Sequence, residues 1–274
     1  MSSRNSQANK AAARDRLRAE REKQAKKDKV RRQVLVAGAV VAVLALAGGI
    51  GYAVVQANQP GEWDKAADAT LVAPKNTTGD NGTTVVIGKA DAKKTLELYE
   101  DARCPICSQF EQSVGPQIKK DLDAGKYKIQ YVGATFLDKG FGGSGSKNAL
   151  SALGAALNVS PEAFLEYKSA LYSKENHPEE RDDKFGKDDY LLKVADQVPA
   201  LKGNADFKKA VEDGTYNRWA LEMSKLFEKS GLEGTPSLKM DGKKIEIKMA
   251  PEEFTAAVDK AIAGRSDISG RTGR

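Results

Sequence analysis

The hydrophobic and polar positions divide the chain into regions of different character. Residues 34–55 are apolar or glycine without a charge, and residues 56–82 are rich in Asn, Gly, Pro, Thr and Asp without an apolar period. The uncharged run covers the ~30 Å hydrocarbon core of a bilayer at ~1.5 Å per residue, so it predicts a single transmembrane helix. The polar run predicts a flexible linker. Residues 83–263 alternate between strand and helix patterns, and residues 264–274 predict a flexible tail.

The first part of the patterned region predicts a βαβ unit. Thr84–Ile87 is a short β-type run, and Lys94–Tyr99 alternates leucine with polar residues. Apolar residues at helical spacing follow, in a helix that ends by Gly125, and Tyr127–Val132 returns to period two. A strand, a helix and a second strand in this order are typical of a βαβ unit.

The rest of the region is helical at first and ends in a hairpin. Helical patterns fill about residues 144–231, where Ser160 supplies a hydroxyl N-cap and Pro161 the first helical position. Asp241-Gly242 then separates two short strand patterns, a strong hairpin signal, and Pro251–Ile262 predicts a closing helix. This layout predicts an α/β fold, thioredoxin-like, with an inserted helical subdomain, in a domain of residues 83–263.

Charge is concentrated at the amino terminus. Residues 1–32 contain twelve basic and four acidic residues, whereas the whole chain carries a net charge of +6. A basic arm of residues 1–33 before an apolar helix predicts a cytoplasmic N-terminus and an extracytoplasmic domain in the cell membrane. Because the folded part is close to neutral, nucleic acid is not an expected partner. A secretory signal peptide that is later removed, with a cleavage site near Ala57, is the alternative interpretation.

The two cysteines of the chain are the candidate chemistry. Cys104-Pro105-Ile106-Cys107 places both sulfurs at the start of the predicted helix, with Pro105 at its first position. At the N-cap, Cys104 faces unpaired N–H groups that lower a thiol pKa, and Cys107 lies one turn inward as the resolving cysteine. Arg103 adds a positive charge beside Cys104. Glu100 and Asp101 would counteract the Arg103 charge if their side chains point the same way, which the sequence leaves open.

These residues resemble a known active site. The segment from Tyr99 to Glu111 resembles that of DsbA-like thiol-disulfide oxidoreductases, and Gly234-Thr235-Pro236-Ser237 is similar to the cis-proline loop of that family. The resemblance covers about residues 83–263. It implies a cis peptide before Pro236, packed against the cysteines, and a Thr235 backbone that binds extended substrate chains. The dipeptide Pro105-Ile106 lacks the histidine of strongly oxidising members.

The resemblance also implies a function. The expected protein is a membrane-tethered oxidoreductase that exchanges disulfides with thiol-containing unfolded or extended proteins, in the oxidase direction. Its redox group is the Cys104–Cys107 disulfide, without another cofactor. Arg103, Pro105 and Ile106 are expected to modulate the site. A membrane partner similar to DsbB or VKOR is expected to reoxidise it.

Other interpretations of the motif are weaker. A zinc site needs four ligands, and the chain has two cysteines and one histidine, His177, in a charged segment that predicts a loop. A purely structural disulfide would close too small a loop to stabilise the fold much. Two alternatives use the same fold: a reductase or isomerase with the same site, and a module without enzymatic activity that binds peptides or acts as a scaffold.

Overall fold

The computed structural model describes residues 14, 16–35, 38 and 61–264, and it divides the chain into two units, residues 1–61 and 62–274. In the first unit, residues 16–35 form a helix with exposed side chains. Among the described residues, no helix is long and apolar enough to cross a bilayer. Nearly all of the predicted span 34–55 lies outside the described residues, as does the predicted tail after Gly264.

The second unit is built on a mixed five-stranded sheet with the spatial order β1-β3-β2-β4-β5. The strands are β1 (Val85–Ile87), β2 (Thr95–Asp101), β3 (Lys128–Ala134), β4 (Ser237–Met240) and β5 (Lys243–Ile245). Strands β2 and β3 are parallel and flank one helix in sequence, which confirms the predicted βαβ unit. All the other pairs are antiparallel.

Nine α-helices of the second unit have defined bounds in its described part. They are α1 (Glu62–Asp68), α2 (Pro105–Asp123), α3 (Phe136–Phe141), α4 (Gly145–Val159), α5 (Pro161–Leu171), α6 (Asp188–Ala195), α7 (Ala205–Glu212), α8 (Asn217–Lys229) and α9 (Pro251–Ile262). Helices α4 to α8 occupy the segment predicted as the helical insertion. The Ser160 hydroxyl accepts a hydrogen bond from the Ala163 N–H, as its cap position predicts.

The predicted hairpin turn has the backbone conformation that its sequence favours. Asp241 and Gly242 have φ angles of 52° and 75°, so both central residues lie in the left-handed region. Two such residues in succession give a type I′ turn, whose twist matches that of the flanking strands β4 and β5. Asp241 also forms an ion pair with Lys94, just before β2.

Helices cover both faces of the sheet. Alternate side chains of a strand point to opposite faces. On one face, Leu98 lies in the main apolar core with Phe110 of α2 and Phe254 of α9, whose rings are 5.9 Å apart. On the other face, Tyr99 packs against Phe227 of α8 at 6.5 Å. Helices α2 and α9 therefore cover one face of the sheet, and α8 covers the other.

The predicted linker is the main correction to the domain boundaries. Part of residues 56–82 is ordered on the domain, because α1 packs against α8 and Glu62 accepts a hydrogen bond from Asn217. Trp219 Nε1 donates to the Gly82 carbonyl at 2.7 Å, and Asn76 donates to the Leu157 carbonyl. The polar composition predicted flexibility, whereas these polar groups bind the helical insertion. Any free linker is thus shorter than predicted.

Candidate active site

Cys104 and Cys107 lie at the start of α2. Cys104 occupies the N-cap position with an extended backbone, and Pro105 takes the first helical position, where its missing N–H has no role. Both cysteines are free thiols, and both are buried. Ile106 between them is 44% exposed, so the motif reaches the surface through this side chain.

The helix start stabilises a thiolate on Cys104. The pKa of Cys104 is lowered to about 6, chiefly because the Cys107 thiol donates a hydrogen bond to its sulfur. Backbone N–H groups of Cys107 and Ile106 also stabilise the anion, whereas burial opposes ionisation. Burial raises the pKa of Cys107 well above its ordinary value, and hydrogen bonding to Cys104 raises it further. The two sulfurs are therefore chemically unequal, because Cys104 ionises more readily than Cys107.

The cis-proline loop lies against the reactive sulfur. The Thr235–Pro236 peptide bond is cis, and the Cys104 thiol donates to the Thr235 carbonyl at 3.3 Å. The antiparallel pairing of β4 with β2, which sets Ser237 opposite Tyr99, brings this loop to the end of the strand that leads to Cys104. The side chain of Thr235 lowers the pKa of both thiols. The structure thus brings together four of the predicted site residues.

Arg103 has a different environment from the predicted one. Its guanidinium is 1% exposed and pairs with Asp138 at 2.9 Å, and it donates to the carbonyls of Gly142 and Glu180. Asp183 lies 3.4 Å away and accepts hydrogen bonds from the N–H groups of Ser144 and Gly145. The Arg103 charge is therefore neutralised by its own partners. Arg103 connects the loops that contain Gly142 and Glu180 to the segment that leads to Cys104.

Glu100 and Asp101, whose direction the sequence left open, both point inward. Burial raises the pKa of both carboxyls, that of Asp101 to about 7. Asp101 accepts hydrogen bonds from the N–H groups of Arg103 and Leu137 and from the Ser146 hydroxyl. Glu100 pairs instead with Lys168 of α5, at 3.0 Å. Nothing in the sequence indicates that charged residues at the end of a strand are buried. Sequence reasoning therefore missed Lys168 as the partner of Glu100.

His177 lies in a loop, as predicted, but contacts the active-site segment. Its Nε2 is 3.0 Å from the Ala102 carbonyl oxygen, and its ring stacks on Tyr172 with centroids 5.9 Å apart. Burial lowers the pKa of His177. Tyr172 in turn packs in one apolar cluster with both cysteines. His177 therefore contacts the backbone of the segment that leads to Cys104.

The fold and the site together define a class of protein. A reactive thiol at a helix start, a buried second thiol two residues later and a cis-proline loop across from them form a thiol-disulfide exchange site on a thioredoxin-like fold. Among the described residues, no group of three or more His, Cys, Asp or Glu side chains is placed to hold a metal ion.

Comparisons with known proteins agree with this class. A family model described as Thioredoxin matches residues 80–260. The chain is 25% identical over 181 residues to Disulfide bond formation protein D of Bacillus subtilis, covering 66% of this chain and 78% of the relative. The chain therefore belongs to the thioredoxin family, as a DsbA-like thiol-disulfide oxidoreductase.

Solved structures share the fold. Oxidised BdbD of Bacillus subtilis superposes with a TM-score of 0.57 at 23% identity, covering 72% of this chain and all of that chain (100%). Oxidised DsbA of Mycobacterium tuberculosis gives 0.56 at 24% identity, covering 67% and 94%.

Proposed function

We propose that this chain is a membrane-tethered, extracytoplasmic oxidoreductase that introduces disulfides into secreted or envelope proteins through Cys104 and Cys107. The observation that carries the proposal is the unequal pair of thiols: the pKa of Cys104 is lowered to about 6 while that of Cys107 is raised. The basic arm and the uncharged residues 34–55 support the tether.

The lowered pKa favours the oxidase direction. A stabilised thiolate lowers the free energy of the reduced enzyme, so the enzyme disulfide accepts electrons more readily. The active-site pKa is about 7 in thioredoxin, a reductant, and about 3.5 in DsbA, a strong oxidant. The Cys104 value of about 6 lies between them, on the oxidising side of thioredoxin. This supports an oxidase of moderate strength.

The reaction follows from the two sulfurs. A substrate thiolate attacks Cys104 in the Cys104–Cys107 disulfide; the bond between the enzyme sulfurs breaks, and Cys107 leaves and takes up a proton. A second substrate thiolate then attacks the substrate sulfur of the mixed disulfide and releases Cys104 as a thiolate. Two electrons pass from substrate to enzyme. The Thr235 backbone beside Cys104 is positioned to bind the extended substrate chain during both steps.

A second redox protein must return the enzyme to the disulfide form. We propose a membrane protein of the DsbB or VKOR kind, which would meet the site at the bilayer surface. The exposed Ile106 side chain offers such partners an apolar contact next to the reactive sulfur.

Oxidation of a reduced protein tests the activity. The full chain in detergent, with a glutathione redox buffer, should accelerate refolding of a reduced disulfide-containing protein, and Cys104→Ser should abolish the acceleration. Cys107→Ala should accumulate mixed disulfides with clients. Full activity in Cys104→Ser would exclude the catalytic proposal and favour a binding module.

The reduction potential tests the direction. Equilibration with glutathione should give a value nearer to about −120 mV than to about −270 mV. A value at the reducing end would assign the same site to a reductase or isomerase.

Protease treatment of cells without their wall tests the tether. External protease should degrade residues 61–264 and leave an antibody tag on the basic arm intact. Loss of the tag together with the domain would contradict the proposed topology.

A further inference from the structure

Two residues, Ala102 and Arg103, join the end of β2 to Cys104. The Cys104 N–H donates to the Asp101 carbonyl at 3.0 Å, and the Arg103 N–H donates to the Asp101 carboxyl at 3.0 Å. These donors are bound inside the turn. The Ala102 carbonyl is bound from outside it, because its oxygen lies 3.0 Å from Nε2 of His177 in the loop of residues 173–187. One hydrogen bond therefore connects that loop to the backbone two residues before the reactive sulfur.

His177 is the donor in this bond. Ala102 is 4% exposed, and in the part of the chain that the structure describes no other group hydrogen-bonds its carbonyl. A carbonyl oxygen only accepts, so Nε2 must carry the hydrogen. Burial lowers the pKa of His177, so the ring donates as a neutral imidazole at neutral pH. Loss of this donor would leave a buried carbonyl unpaired, which is unfavourable.

Aromatic rings hold the imidazole in place. The His177 ring stacks on Tyr172 with centroids 5.9 Å and planes 17° apart, and it meets Phe185 edge to face at 6.0 Å. Both neighbours are buried. A ring enclosed on two sides cannot turn freely about its side-chain torsions, so Nε2 keeps its direction toward Ala102.

The residue before His177 anchors the loop. Asn176 is buried and exchanges two side-chain hydrogen bonds with Gln197, at 2.9 and 3.1 Å. Its amide also donates to the Ala170 carbonyl of α5, and its own carbonyl accepts the hydroxyl of Tyr190 in α6. The loop is thus bound to both helices that flank it. His177 therefore contacts the active-site segment from a fixed position.

We propose that His177 is a positioning residue for the exchange reaction, which holds the Ala102 carbonyl and thereby sets the Cys104 sulfur over the first N–H groups of α2. This inference rests on the proposed function. Cys104 takes the N-cap position with φ −74° and ψ 117°, and the backbone N–H groups of Ile106 and Cys107 stabilise its thiolate there. Rotation of the peptide group at Ala102 would turn the sulfur away from these donors, and the bond to His177 opposes that rotation.

The effect is geometric rather than electrostatic. The His177 ring is neutral and faces a backbone carbonyl, and it is not among the main groups that set the ionisation of Cys104. Any neutral donor of similar reach should therefore replace it. The amide nitrogen of glutamine takes nearly the place of Nε2 in histidine, whereas the amide nitrogen of asparagine falls short by a methylene group.

Ionisation of Cys104 in the reduced full chain tests this role without a substrate. His177→Phe keeps the aromatic contacts and loses the donor, so the Cys104 pKa should rise and alkylation near pH 6 should slow by about two- to fivefold. His177→Gln should recover most of the wild-type rate, and His177→Asn should behave as His177→Phe. Absorbance at 240 nm during a pH titration gives the pKa. Acceleration of oxidative refolding should fall in the same order.

A variant that only weakens the fold is the control. Asn204→Ala removes the N-cap of α7, so it should lower the free energy of unfolding but leave the titration of Cys104 unchanged. His177→Asn gives the comparison if His177→Phe does not fold. A wild-type titration in either variant, or an equal change in His177→Gln, would overturn the positioning role. A wild type that does not accelerate oxidative refolding would instead overturn the proposed function, with the titration unaffected.

Discussion

The carbonyl oxygen of Thr235 lies 3.3 Å from the sulfur of Cys104, although 131 positions separate the two residues. The antiparallel pairing of β2 with β4 creates this contact, because one strand leads to Cys104 and the other starts after Pro236. One loop therefore covers the reactive sulfur and contributes to its pKa, and in the proposed function it also offers backbone groups to a substrate.

Removing the Thr235 hydroxyl should weaken the thiolate. Thr235→Val keeps the shape and branching of the side chain but loses the group that lowers the pKa of Cys104. The Cys104 pKa should rise, and alkylation near pH 6 should slow by about two- to fivefold because less thiolate is present. Absorbance at 240 nm during a pH titration measures this. Thr235→Ser should behave as wild type; an unchanged titration in Thr235→Val would refute the assignment.

Cys107→Ala removes the hydrogen bond that lowers the Cys104 pKa most. The pKa should move from about 6 toward 9. The folded-state pKa of this acid is depressed, so its stabilisation of the reduced protein is complete above pH 9 and lost as pH falls through about 6. The pH-dependent part of the stability difference between wild type and variant should vanish in acid. Urea unfolding of the reduced protein checks this. Cys104→Ala serves as the control, because it lacks the thiol that titrates.

Arg103 should contribute more to stability than to thiol ionisation. Arg103→Met leaves the Asp138 carboxylate buried without its cation, which costs about 3–5 kcal/mol in the free energy of unfolding. Arg103→Lys should recover only part, because an ammonium cannot reach all partners of a guanidinium fork. Lys119→Met, which breaks an exposed pair on α2, should cost under about 1 kcal/mol. Equal losses of unfolding free energy in Arg103→Met and Lys119→Met would contradict the structural role of Arg103.

Asp101→Asn should show an effect that depends on pH. The folded-state pKa of Asp101 is raised to about 7 from 3.8, so its contribution is complete below 3.8 and is lost as pH rises through about 7. In the variant, the amide group also faces one of the hydrogen-bond donors that Asp101 binds, which lowers the free energy of unfolding by about 1–3 kcal/mol. The loss of unfolding free energy relative to the wild type should therefore be largest in acid and smaller at neutral pH. Urea unfolding at several pH values measures this; for comparison, Asp123→Asn on exposed α2 surface should change stability little.

Trp219→Phe should loosen the segment before β1. It removes the donor to the Gly82 carbonyl and should lower the free energy of unfolding by about 1 kcal/mol. Proteolysis within residues 61–82 should become faster. Trp63→Phe, which keeps an aromatic ring beneath Lys147, serves as control and should leave that segment resistant. Equal cleavage of the two variants would show that the Trp219 contact does not hold the segment.

Much of the second unit could be predicted from local pattern. Period-two and helical spacing located the βαβ unit and the last helix, Ser160 marked a helix start, and Asp241-Gly242 marked a turn. These features depend on neighbours a few residues away, which the sequence displays directly. The same patterns missed the ordered part of residues 61–82, because a polar segment can either stay in solvent or bind a surface formed far along the chain.

For the site, the sequence by itself determined the reactive pair, the helix that begins at it and the proline loop that resembles its partner. Only the tertiary structure decided which charges face those thiols. Arg103 turns away to Asp138, while Glu100 turns inward to Lys168, 68 residues along the chain on a different helix. The physical reason is that burial of a charge depends on a partner that folding brings to it, and no local pattern encodes that distance.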